Sequence, residues 1–154
     1  MRPLAITIAS AFGTGFVSPG SGTWGTFAGA IMIWCLTLFT PDVQQYALLT
    51  SLLIITIVGY WSILQLKTEW DHDDSRITVD EVIGIFITMV FIPLTVKNLV
   101  IGIVVFRIFD IWKPLGIRKL DDIHSNWGVI ADDCLAGVYA NICSRLLITY
   151  IPWM

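Results

Sequence analysis

From Tyr46 to Leu66 the chain runs for 21 residues without a charged side chain. A helix needs about 20 apolar residues to cross the hydrocarbon layer of a bilayer. This stretch therefore predicts one membrane-length helix, and everything else has to pack around it. Four further apolar runs do so: Phe27–Thr40, Val82–Val96, Leu99–Trp112 and Cys134–Trp153. A soluble core could not hide them all. The chain is 56% hydrophobic and only 14% charged, where soluble chains carry about 25% charged residues. A chain of 154 residues buries only about two-thirds of its unfolded surface.

The expected fold is all-α: a small multi-pass membrane helical bundle of about five helices, one domain over residues 1–154. Two runs, 27–40 and 82–96, are nearer 15 residues than 20, a length also found in re-entrant or buried helices. Five spans place the Gly-rich segment 13–26 and the polar blocks 67–81 and 113–133 on one side. That side then holds Arg2, Lys67, Arg76, Arg107, Lys113, Arg118 and Lys119, against Lys97 on the other. Excess Lys and Arg marks the cytoplasmic face. All carboxylates except Asp42 fall there too, which predicts a single site facing the cytoplasm.

The acids come as doublets at helix starts: Asp80-Glu81 within DHDDSRITVDEVIG, and Asp132-Asp133 within VIADDCLAG. One acid at a helix start needs only capping and dipole stabilisation to explain it. Doublets need more, because adjacent carboxylates repel and a charge near hydrocarbon is costly unless it meets a cation. Oxygen ligands without His favour a hard ion, and Mg²⁺ takes one or two carboxylates plus substrate phosphate. In FRIFDIWKP, Arg107, Asp110 and Lys113 stand three apart and can share a helical face. They form either an ion-pair ladder or a phosphate grip by Arg107 and Lys113, with Asp110 joining the metal or orienting a base. On spacing alone these readings stand level.

GSGTWG, residues 20–25, fits the dinucleotide pattern GxGxxG, but no βαβ unit surrounds it and no acid follows at the right distance. What remains is a Gly-rich loop entering a helix, offering N–H groups and the hydroxyls of Ser21 and Thr23 to a phosphate. Its plain alternative is a packing loop. His72 and His124 lack a second His at ligand spacing. Cys35, Cys134 and Cys143 sit in or beside apolar runs with no CxxC. Most of the tryptophans, among them Trp61, Trp70 and Trp112, fall near span ends and read as interfacial anchors. The first 12 residues have a short apolar run but no basic n-region, and are read as mature sequence rather than a signal peptide. A net charge of −3 without a basic stripe excludes nucleic acid as partner.

Taken together, the SPG-to-GTWGT loop (Ser18–Thr26), the D-x6-DE-x2-G block (Asp73–Gly84), FRxxDxxKP (Phe106–Pro114) and DD-x3-G (Asp132–Gly137) resemble the phosphatidylglycerophosphatase A family. The resemblance implies an all-helical bacterial inner-membrane enzyme that uses Mg²⁺. It would hydrolyse phosphatidylglycerophosphate to phosphatidylglycerol and phosphate. It makes Asp80, Glu81, Asp132 and Asp133 the leading metal and catalytic positions, supported by Asp73 and Asp110. HSNWG stands where many members carry a Gly pair, a departure that bears on loop shape. An aspartyl-phosphate intermediate would use the same carboxylates. The rival reading, a non-enzymatic divalent-cation carrier, would place acids near mid-bilayer; here they sit at span ends.

Overall fold

The computed structural model describes residues 1–70, 74–114, 116–121 and 128–150, with the backbone alone for Lys119 and Asp121. Among them it has seven α-helices and no strand: α1 (Arg2–Ala9), α2 (Ser21–Cys35), α3 (Pro41–Leu66), α4 (Val79–Thr88), α5 (Val96–Trp112), α6 (Ile117–Asp121) and α7 (Gly128–Tyr150). The all-helical class matches expectation, and the count exceeds the five expected. The two extra helices are short pieces, α1 and α6. Helix α1 exists because Ala5 and Ala9, both fully buried, let it lie close against α3.

Helix α4 is the centre of the bundle. A helix apolar all round is a buried one, and seven of its ten residues are buried: Val79, Val82, Ile83, Gly84, Ile85, Phe86 and Thr88. It feeds both cores. With α2, α5 and α7 it forms one around Val82, Ile85, Phe86 and Phe106. With α1, α3 and α7 it forms the other around Val79, Ile83, Ile63 and Ile130. The α4–α7 crossing is so close that a methyl on Gly137 would stand 2.6 Å from the Gly84 carbonyl oxygen. Small residues at a crossing allow such backbone approach.

Two boundaries differ from the sequence expectation. The apolar run 82–96 does not continue as one helix; α4 stops at Thr88, and Phe91 turns left-handed at φ 55°. Polar side chains from neighbouring helices accept the ending. Asn141 Nδ2 donates to the carbonyls of Thr88 and Val90, each at 2.8 Å, and Arg145 Nη2 donates to Val90 at 2.9 Å. Gln45 donates to the Ile92 carbonyl and accepts the Phe91 N–H, both at 2.8 Å. Asn98 donates to the Pro93 carbonyl at 2.9 Å. Carbonyls orphaned at a helix end need such partners when water is absent.

The second difference is the Gly-rich segment. A single 3-10 turn, Thr14–Phe16, interrupts it, and its loop ends at Gly20, whose left-handed φ of 82° caps α2, so Ser21, Thr23 and Thr26 are helical. Gly22, Gly25 and Gly29 then line one face of α2 and lie against Glu81, Thr78 and Val82 of α4 or its cap.

Of the described helices, only α3 is both long and apolar enough to cross a membrane by length and composition. Other helices still turn apolar stripes outward: Val96, Val100, Val104, Ile108 and Ile111 on α5, and Val138, Ile142 and Leu146 on α7.

Candidate active site

Four helix ends converge at one end of the bundle around a cleft of about 250 Å³. Helix α4 brings Asp80 and Glu81 in its first turn, α7 brings Asp132 and Asp133, and α5 brings Arg107, Asp110 and Lys113 at its end. The first turn of α2 adds Ser21 and Gly22. The acids of α4 and α7 sit near helix N-termini, where the macrodipole favours negative charge. Both cations sit near the α5 C-terminus, where it favours positive charge.

Asp80, Glu81 and Asp133 present carboxylate oxygens all within 4.8 Å of one another. Asp80 Oδ1 accepts the Glu81 N–H at 3.1 Å, so a capping role is partly realised. It does not account for Glu81, whose Oε2 is buried with no hydrogen-bond partner among the described residues. Burial pushes Asp80 up to about 6. Burial first, then the nearby Asp80 charge, holds Glu81 well above the ordinary carboxylate range. Asp133 is raised in the same way, by burial first and then by Asp110 and Asp80. Three acids this close cannot all ionise without a neutralising charge. Oxygen-only donors converging on one point, one of them orphaned, fit a hard divalent cation such as Mg²⁺.

The sequence grouped both doublets as metal ligands; the geometry divides the second. Asp133 turns to Glu81, while Asp132, next along the helix, receives Lys113 Nζ at 2.8 Å. Lys113 reaches it from a left-handed backbone, φ 45°, that ends α5. Non-glycine residues in this region are strained and collect at functional sites. Arg107 pairs with Asp110 one turn on, as the spacing allowed, and its Nε is buried with no partner among the described residues. Lys113 thus leaves the intrahelical ladder, and Arg107–Asp110 keeps to it. Ser21 lines the cleft and Thr23 does not. Asp73 lies outside the described residues.

Some lining residues carried no role in the sequence reading. Gly22 is one: a methyl there would overlap Glu81 Oε1 and come within 3.2 Å of Arg107 Nη1. Its signal was the helical spacing of Gly22, Gly25 and Gly29, hidden because glycines read as loop. Asp74 and Ser75 also line the cleft, and Asp74 is held below its ordinary value by hydrogen bonding to Arg76.

The model of the family described as phosphatidylglycerophosphatase A matches residues 7–148. A protein of Escherichia coli named phosphatidylglycerophosphatase A is 39% identical over 85% of this chain and 76% of its own. One of the same name from Haemophilus influenzae is 36% identical, covering 88% of this chain and 83% of its own. A Bacteroides thetaiotaomicron protein named "Putative phosphatidylinositol-3-phosphatase" is 35% identical over 98% of this chain and 95% of its own. No solved structure matches.

Proposed function

Because the chain belongs to the phosphatidylglycerophosphatase A family, we propose that it hydrolyses the terminal phosphomonoester of phosphatidylglycerophosphate, yielding phosphatidylglycerol and phosphate. The observation that carries this reading is the convergence of Asp80, Glu81 and Asp133 with Arg107 and Lys113 on one cleft. Anion grips and a carboxylate cluster in one space suit phosphoryl transfer, where positioning and charge neutralisation supply most of the catalysis. Magnesium held by Asp80, Glu81 and Asp133 would supply Lewis acidity to the phosphate and lower the pKa of a water.

The chain's own residues do the rest. Arg107 and Lys113 hold phosphate oxygens as charge shifts toward them. Asp110 orients Arg107 through its ion pair, and Asp132 fixes the Lys113 ammonium in place. Ser21, at the first turn of α2, offers a hydroxyl and a helix N-terminus to the same oxygens. Gly22 leaves room for the Glu81 carboxylate.

The setting is a multi-pass membrane domain whose cleft faces the cytoplasm. Support comes from α3 as a membrane-length helix, from the outward apolar stripes of α5 and α7, and from the Lys and Arg excess at the cleft end. A cation carrier is not favoured: the acids gather at one end of the bundle, and the relatives are named as phosphatases.

The name of the Bacteroides relative adds phosphatidylinositol 3-phosphate as a second lipid to assay. Both lipids carry a scissile monoester and an internal phosphodiester on carbons separated by one carbinol. Purified protein in mixed micelles should release phosphate from phosphatidylglycerophosphate, lose that activity in EDTA and regain it with excess Mg²⁺. No release with Mg²⁺ present would overturn the reading.

A further inference from the structure

Beside the cleft lies a shallower depression of about 510 Å³, bounded by the loop Gly15–Gly20 and by Ser75 and Arg76. Ser21 and Ser75 line both hollows, so the two join along that edge. Arg76 is the only charged residue among the described residues that line this second hollow.

Arg76 is held with unusual care for a surface arginine. Its Nε donates to Asp74 Oδ1 at 2.8 Å, and Nη2 pairs with Oδ2. The guanidinium lies 4.5 Å over the ring of Trp70. Trp70, expected as an interfacial anchor, is instead buried at 7% exposure, with Phe16 edge-on at 6.2 Å. The fork to Asp74 uses Nε and Nη2 and leaves Nη1 outside it. A guanidinium fixed in plane loses little entropy on gripping a phosphate. Phe16 and Val17, which line the depression, are exposed, an apolar rim suited to acyl chains.

An order therefore runs from one hollow to the next: apolar rim and fixed arginine together in the first, acids in the second. A lipid with a phosphodiester next to its acyl chains and a monoester beyond has the same order. We infer that Arg76 binds the internal phosphodiester of the substrate while the monoester occupies the cleft, a step that rests on the lipid-phosphatase reading. Arg76 is then a specificity determinant. It selects lipids whose two phosphates stand on carbons separated by one carbinol, and gives nothing to phosphatidate, which has a single monoester.

The test measures phosphate release from phosphatidylglycerophosphate, phosphatidylinositol 3-phosphate and phosphatidate by the full-length protein with Mg²⁺. Arg76→Gln should raise KM for the first two roughly ten- to a hundredfold with kcat held within about twofold, and leave phosphatidate turnover unchanged. Arg76→Lys, which keeps the charge but not the fork, should fall between. A second arm needs no variant: glycerol 1,3-bisphosphate should inhibit the unaltered protein at least about tenfold more tightly than glycerol 3-phosphate. Equal inhibition by the two would overturn the inference. So would an equal loss on all three lipids in a variant with an unchanged unfolding temperature. Release from none of the lipids by the unaltered protein would overturn the phosphatase reading beneath it.

Discussion

Gly22 of α2 lies directly against the Glu81 carboxylate, leaving no room for even a methyl group between them. The atom that would be displaced is the far end of a flexible side chain rather than backbone. Gly22→Ala should therefore move the carboxylate and spare the fold. Activity is expected to fall at least about tenfold, while the helix gains up to ~1 kcal/mol in propensity. Phosphate release and thermal unfolding of the same preparation check it; normal turnover would place Glu81 outside the chemistry.

Asp133 sits 4% exposed among other acids, so its charge destabilises the metal-free protein. Asp133→Asn should raise the unfolding temperature in EDTA and lower activity by at least about a hundredfold, since even partners one shell out from a metal are worth 10–100-fold. Calorimetry in EDTA and in Mg²⁺ separates the effects. A variant less stable in EDTA would contradict the electrostatic account.

Asp132 acts through Lys113 and not within the three-acid group. Asp132→Asn should therefore cost less than Asp133→Asn, about ten- to thirtyfold, and appear largely in KM. In a double-mutant cycle, Asp132→Asn and Lys113→Met should couple strongly. Additive effects would show that the ion pair has no part in catalysis.

The pH dependence follows from the raised acids. Asp80 moves from 3.8 to about 6, and Glu81 and Asp133 move in the same direction. Between the unfolded and folded values the folded chain binds more protons, so stability falls as pH rises. The metal-free protein should lose unfolding temperature as pH rises from about 4 to about 6. Mg²⁺ should flatten that curve and release protons on binding, read by calorimetry in buffers of different ionisation enthalpy. A metal-free protein that becomes more stable over this range would reverse the sign and refute the assignment.

Cys35 ends the 15-residue helix α2 that Ser21 begins at the cleft, which puts it roughly 20 Å away along the helix. With the other two cysteines replaced by alanine, Cys35 should react with an impermeant maleimide in right-side-out vesicles. A cysteine substituted for exposed Arg118, with Cys35 also removed, should react only in inverted ones. Labelling of both from one side would refute the multi-pass setting proposed above.

The helical class and the long α3 were legible because an uncharged run of membrane length has few alternatives. The gathering of both doublets at one end was legible because acids and bases sorted together by span. Three features were not. Asp132 and Asp133 look equivalent in sequence, yet they point about 100° apart on the helix; Asp133 joins Asp80 and Glu81, and Asp132 meets Lys113. The end of α4 at Thr88 was invisible because Met89–Ile92 is as apolar as the helix before it; Gln45, Asn141 and Arg145 decide the ending from far along the chain. The start of α2 was masked by glycines whose role is contact with Glu81, not flexibility.

The brevity of α4 sets where hydrolysis takes place. The ten-residue helix carries Asp80 and Glu81 only roughly 12 Å above the point where it ends, and that lower end is tied to three separate helices. The carboxylates stand on a pedestal, not on a hinge. Their height is a property of the framework, so a phosphate must be lowered to them by the tilt and depth of the lipid that bears it.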